Sequence, residues 1–217
     1  MTELAVVLAV TVLMMSLLLP AMSQVRANLH RIICSSNLRQ IGLATSTYAG
    51  EYRDCLPTSD LQREMLPQEL MAIHRGGHPK AWDGLGLLYA THYCDAPDVY
   101  YCPSHTGEHG IDQYRDEWLH PGNKRIYANY HYSGDIDLRS GRLRRLGDFL
   151  LVIATDGLRT LGDFNHRTGL NLLAGDGSVR WREDRGIARR LPVEPIEGSA
   201  GSAFYDELWE TIEDLNR

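Results

Sequence analysis

The hydropathy of the chain changes character near its start. Leu4 to Ser23 reads LAVVLAVTVLMMSLLLPAMS and carries no charged side chain. As a helix rising ~1.5 Å per residue this run reaches about 30 Å, the thickness of a bilayer's hydrocarbon core. Beyond Pro20 the apolar positions Leu29, Ile32, Ile33, Leu38, Ile41, Ala44 and Tyr48 recur at spacings of mostly three and four. Gln24, Asn28, His30, Ser35 and Arg39 fill the positions between them. This periodicity predicts an amphipathic continuation to Ala49, stopped by Gly50. The two stretches form one helix of about 45 residues, apolar all round in its first half and with a single packing face in its second. Pro20 is expected to bend it or to loosen one turn.

The apolar run has three readings. Ala21-Met22-Ser23 resembles the small-x-small site of a cleaved secretory signal, but Met1-Thr2-Glu3 is acidic where a signal starts basic. A buried core helix is disfavoured by the lack of any polar face over more than four turns. The remaining reading is an uncleaved membrane anchor that crosses the bilayer once. Arg26, Arg31 and Arg39 follow the run, so the positive-inside tendency places the head on the cytoplasmic side. Glu3, at the edge of the run, needs a partner if it enters lipid. At an interface it would only favour the helix dipole.

The rest of the chain is mixed. A short helix is expected over 61–74, opened by Ser59 or Asp60, and a second short helix or a buried turn over 84–93. Residues 103–124, with three His, three Gly and two Pro, read as loop. Residues 126–132 alternate weakly as a strand. Phe149-Leu150-Leu151-Val152-Ile153-Ala154 is a continuous apolar run suited to a central strand. Leu170 to Ala174 and Ser178 to Trp181 flank Gly175-Asp176-Gly177 as a hairpin. Phe204, Leu208, Ile212 and Leu215 fall at helical spacing behind Ser202, a good N-cap. The fold class is α+β: a long N-terminal α-helix packed on an antiparallel β-sheet head. The divisions are 1–23 for the membrane and assembly helix, 24–49 for its amphipathic continuation, and 50–217 for the head.

Charge narrows the partners. The net charge of −6 is mild, and no basic run with interleaved aromatics points to nucleic acid. The four cysteines, Cys34, Cys55, Cys94 and Cys102, permit disulfides in an exported domain. Cys94 and Cys102 lie close in sequence and are the expected pair. Cys102-Pro-Ser-His105 offers half a zinc site, but no second Cys or His pair completes it, so neither metal nor cofactor is expected.

These residues also carry a family resemblance. The segments Glu3–Val10, Leu17-Leu18-Leu19-Pro20-Ala21, Cys34–Ala44 (CSSNLRQIGLA) and Tyr48-Ala49 resemble the N-terminus of type IV pilin-like and type II secretion pseudopilin-like proteins. They most resemble the prepilin-type proteins abundant in planctomycetes. The likeness resumes at Trp82-Asp83-Gly84-Leu85-Gly86-Leu87-Leu88-Tyr89 and at Tyr101-Cys102-Pro103-Ser104. It ends on His166, nine residues, then Asp176-Gly177, the His-x9-Asp-Gly signature of that family's C-terminal domain. The family's leader and first two mature residues have no counterpart ahead of Glu3, which leaves leader processing and N-methylation open. The resemblance implies a structural subunit, held as a single pass in the inner membrane with its head in the periplasm before assembly, and then built with sister subunits into an extracellular filament by assembly machinery. It assigns Glu3 to neutralising a neighbour's terminal amine.

Asp156, Asp163, His166 and Asp176 are of the types that hold metals or act as general bases, and they are candidates to converge at one end of the sheet. Simpler roles are available for the signature residues: Asp176 and Gly177 supply a tight hairpin turn, and His166 supplies a loop hydrogen bond. No nucleophile elbow, phosphate loop or catalytic carboxylate pair is recognisable, so no enzymatic activity is expected. The alternative is a membrane-anchored or secreted binding or hydrolytic domain for which the helix is only a tether or signal.

Overall fold

In the computed structural model the chain opens with one helix, α1, spanning Thr2–Glu51. The structure describes residues 2–137, 140–147 and 151–216, without the side chains of Thr2, Ala5, Leu17, Leu18, Pro20 and Ala21. The head begins with α2 (Asp60–Arg63), a 3-10 turn at Pro67–Glu69 and β1 (Ala72–His74). Then come α3 (Gly86–Ala90), a 3-10 turn at Pro97–Tyr100 and α4 (Arg115–Leu119). Strands β2 (Ile126–Tyr127), β3 (Tyr130–Tyr132), β4 (Ile136–Asp137), β5 (Arg142–Leu143) and β6 (Val152–Asp156) follow. The chain ends with β7 (Gly169–Ala174), β8 (Val179–Glu183), α5 (Ile187–Arg190) and α6 (Gly198–Asn216).

The architecture is α+β, and every strand pairing is antiparallel. The main sheet has the order β3-β6-β7-β8; β1 pairs with β2 and β4 with β5. One face of the sheet packs against the second half of α1, through Cys34, Leu38, Ile41, Ala44 and Tyr48 together with Ile153, Ala154 and Leu173. The other face, with Val152, Leu170 and Leu172, is covered by Tyr205, Leu208, Trp209 and Ile212 of α6. Sheet strands buried on both faces read as unbroken apolar runs, which is why β6, entered through 151–154, stands out in the sequence. Each fully buried Leu or Ile contributes about 1.5–3 kcal/mol of transfer free energy.

Several expectations are corrected. Pro67 breaks the helix expected over 61–74, leaving only α2, which Ser59 caps by accepting from Gln62 N–H at 3.2 Å. Ser202 lies inside α6 rather than at its N-cap, because the helix starts four residues earlier at Gly198. Residues 115–119 are helical where loop was expected. Phe149 and Leu150, expected to open β6, lie outside the described residues.

The membrane expectation is also overturned. Among the described residues no helix is long and apolar enough to cross a membrane. The single-pass inner-membrane placement and the membrane- and pilin-specific attributes tied to it lose their support. The packed face of α1 also starts later than expected: Leu29, Ile32 and Ile33 are exposed, and burial begins at Cys34.

Candidate functional site

Ahead of Cys34, α1 is largely exposed, and in its last turn there Arg31 stacks on Trp181 of β8. Leu4, Val6, Val7, Leu8, Val12, Leu13, Met14, Met15, Leu19, Met22, Val25 and Leu29 are each more than half exposed. They occur on every side of the helix, so no single groove covers them. Glu3 is exposed in the first turn, where its carboxylate favours the positive end of the dipole.

The second feature is a buried cluster under the point where α1 meets the head. Four separated segments meet there. Cys34 comes from α1, Cys102 from the loop after the 97–100 turn, Asp156 from the last position of β6, and His166 from the loop leading into β7. One ligand atom from each lies within 4.8 Å of all the others. Cys34 and Cys102 form a disulfide with Cα atoms 5.4 Å apart. His166 Nε2 is 3.6 Å from Cys102 Sγ and 3.8 Å from Asp156 Oδ1. Cys34 and Asp156 are fully buried, and Cys102 and His166 nearly so.

Asparagines hold the cluster in place. Asn37 Nδ2 donates to the Tyr101 carbonyl at 3.0 Å, and Asn129 Oδ1 accepts from Cys102 N–H at 3.1 Å. Asn165 Nδ2, beside His166, donates to the Asn129 carbonyl at 2.8 Å. Asp156 Oδ2 accepts from Asn171 N–H at 2.6 Å and from Asn171 Nδ2 at 3.2 Å. Asp156 Oδ1 is buried with no hydrogen-bond partner. Burial lifts the Asp156 carboxyl to about 7 against the opposing hydrogen bonds of Asn171. Burial, then repulsion from His30 and Arg31, pushes the His166 imidazole down to about 4, so it is neutral at pH 7. A cleft of about 440 Å³ beside it is lined by Arg26, His30, Arg167 and Thr168, and by Trp181 with Arg31 stacked 4.7 Å over its ring.

The expected Cys94–Cys102 bridge is therefore not formed; Cys55 and Cys94 are free thiols. The 97–100 turn separates Cys94 from Cys102 and lays Tyr101-Cys102 along α1, beside Cys34. His105 of the half zinc site also stays out of the cluster, since its Nδ1 faces Asn165 Oδ1 at 2.9 Å.

Of the four residues expected at one end of the sheet, only Asp156 and His166 meet. Asp163 accepts from Thr160 Oγ1 at 2.7 Å and lies 4.0 Å from His109. Asp176 is at the far end of β7, which occupies most of the spacer in the His-x9-Asp-Gly signature. There Asp176 Oδ1 accepts from Ser178 N–H at 2.9 Å and from Ser178 Oγ at 2.6 Å, and Gly177 has φ +78°. These two residues shape the β7–β8 turn.

One polar network had no signature in the sequence. Glu69 accepts from Tyr127 and Arg125 on one oxygen and from Arg159 at 3.1 Å on the other. Burial acts to raise the Glu69 carboxyl, but these donors outweigh it and hold it below its ordinary value. The partners are 56 to 90 residues from Glu69 along the chain, so no local pattern reveals them. They tie β2 and the end of β6 to the 67–69 turn.

No protein-family model, no curated protein and no solved structure matches this chain.

Proposed function

We propose that the protein is a structural subunit that assembles with sister copies through the projecting half of α1, in the filament-forming manner that its pilin-like sequence resemblance implies. The observation that supports this is the exposure of apolar side chains on all sides of a helix segment longer than 25 residues. Exposed apolar surface on this scale marks an interaction site. A segment apolar all round needs neighbours on every side, which a bundle of identical helices supplies and a single partner groove does not. In such a bundle Glu3 meets a charge of the adjacent copy, because an unpaired carboxylate there is costly. This reading gives the head a packing and display role without turnover.

Sedimentation and electron microscopy of the full-length chain test this. Concentration-dependent oligomers or thin filaments are expected. Val12→Lys with Met15→Lys should abolish them while the head keeps its circular dichroism, and Glu3→Val should weaken them. A full-length chain that stays monomeric at high micromolar concentration, or a lysine double variant that assembles normally, overturns the proposal.

A further inference from the structure

We propose that Cys34, Cys102, Asp156 and His166 form a zinc-type metal site whenever the Cys34–Cys102 disulfide is reduced. Disulfide and metal are then alternative occupants of one buried position. This is independent of the assembly role of α1.

The donor set is two sulfurs, one imidazole nitrogen and one carboxylate oxygen, all of which are ligands that tetrahedral zinc accepts. Zinc–sulfur bonds near 2.3 Å and zinc–nitrogen bonds near 2.0–2.1 Å place the S and N of one tetrahedron about 3.6 Å apart. Cys102 Sγ and His166 Nε2 are separated by that distance, 3.6 Å. Nitrogen and oxygen ligands of such a site stand about 3.4 Å apart, close to the 3.8 Å between His166 Nε2 and Asp156 Oδ1.

An independent observation points the same way. Asp156 is wholly buried, its Oδ2 is fixed by Asn171, and its Oδ1 is left without a hydrogen-bond partner 3.8 Å from His166 Nε2. A buried carboxylate oxygen without a donor is costly, and a cation satisfies it. Asn171 thereby takes the orienting role that hydrogen bonds to ligating carboxylates ordinarily fill. Thiolate donors select against calcium and magnesium, which take oxygen. Four protein ligands in a closed pocket leave no open position, so the site is structural, not hydrolytic. The cleft beside His166 supplies an entry path from solvent.

The interconversion balances with a dithiol reductant. One of its thiolates attacks a cystine sulfur to form a mixed disulfide. Its second thiol displaces the protein sulfur, so the dithiol leaves as a disulfide and two electrons and two protons end on Cys34 and Cys102. Zn²⁺ then replaces both thiol protons, which pass to solvent, and binds Asp156 as carboxylate and His166 as neutral imidazole.

The test uses the full chain and Co²⁺ as a spectroscopic probe, with a phosphine reductant and no oxygen. The reduced protein should take up one Co²⁺ with intense tetrahedral ligand-field bands and thiolate charge transfer, and Zn²⁺ should bleach them. The oxidised protein should show neither. The Cys55→Ser/Cys94→Ser double variant should behave as the parent. His166→Ala and Asp156→Asn should each weaken Co²⁺ binding by more than about tenfold. If His166→Ala fails to fold, the near-isosteric Asp156→Asn and His166→Gln carry this arm. A reduced chain without tetrahedral bands, folded or not, overturns the proposal. So do bands that survive both ligand substitutions, bands that need Cys55 or Cys94, and equal binding by the oxidised chain.

Discussion

Gly42 of α1 lies directly against Leu173 of β7: a Cβ on Gly42 would sit 2.7 Å from Leu173 Cδ1. Both residues are buried. The absent side chain sets how closely the helix approaches the sheet. Gly42→Val should destabilise the protein by about 1–3 kcal/mol through overpacking. Gly42→Ala should cost less, because alanine recovers about 1 kcal/mol of helix propensity and a methyl end of Leu173 can yield. Urea midpoints check both. Combining Gly42→Val with Leu173→Ala should recover part of the loss, as a coupling in a double-mutant cycle.

His131 governs part of the acid limb of stability. It is fully buried, Nε2–H donates to the Pro67 carbonyl at 2.9 Å, and Nδ1 has no partner. Burial lowers its pKa from 6.5 to about 4. The unfolded chain therefore binds a proton between these values that the folded chain refuses. Stability contributed by this residue is intact above pH 6.5, falls as the pH drops toward 4, and is level below that. The loss amounts to about 3 kcal/mol at most. His131→Gln keeps a donor for Pro67 and does not titrate. Its stability should decline less steeply than the parent's across that window; identical slopes would show that the site contributes nothing.

The two halves of the His-x9-Asp-Gly signature should behave differently on substitution. Gly177 adopts φ +78° with open space where a Cβ would go, so Gly177→Ala costs backbone strain alone, about 1 kcal/mol. Asp176→Asn keeps an acceptor for Ser178 and loses only a half-exposed pair with Arg180, worth under about 1 kcal/mol. Melting temperatures should fall by a few degrees for the first and barely move for the second. Thiol titration of either denatured, unreduced variant should still find only Cys55 and Cys94 free. A third or fourth free thiol would mean that the turn supports the cystine after all.

Local pattern carried much of the fold into view. Period and length placed α1 to within two residues of its end, the unbroken apolar run located β6 because both its faces are covered, and the Gly175-Asp176-Gly177 turn located β7 and β8. Asp176-Gly177 was legible as a turn because its chemistry is local. The cluster was not. Cys34, Cys102, Asp156 and His166 lie on four segments, and their meeting is decided by how β3 to β7 pair and by where α1 crosses them. Proximity in sequence therefore favoured Cys94 over Cys34, and Cys102-x-x-His105 over Cys102 with His166. The Glu69 network was hidden for the same reason. Pro67 was a visible helix breaker, and the periodic apolar residues around it obscured that signal.

The position of the cystine along α1 also has a mechanical meaning. From Thr2 to Ile33 the helix extends about 48 Å beyond the crosslink. Tension applied to that end passes the Arg31–Trp181 contact and then reaches Cys34. It passes through a covalent bond into Cys102, which Asn129 anchors to the head, before it loads the noncovalent seam between residues 35–51 and the sheet. The seam is thereby spared from peeling one side chain at a time, and a pull on the helix becomes a pull on the folded head as a unit.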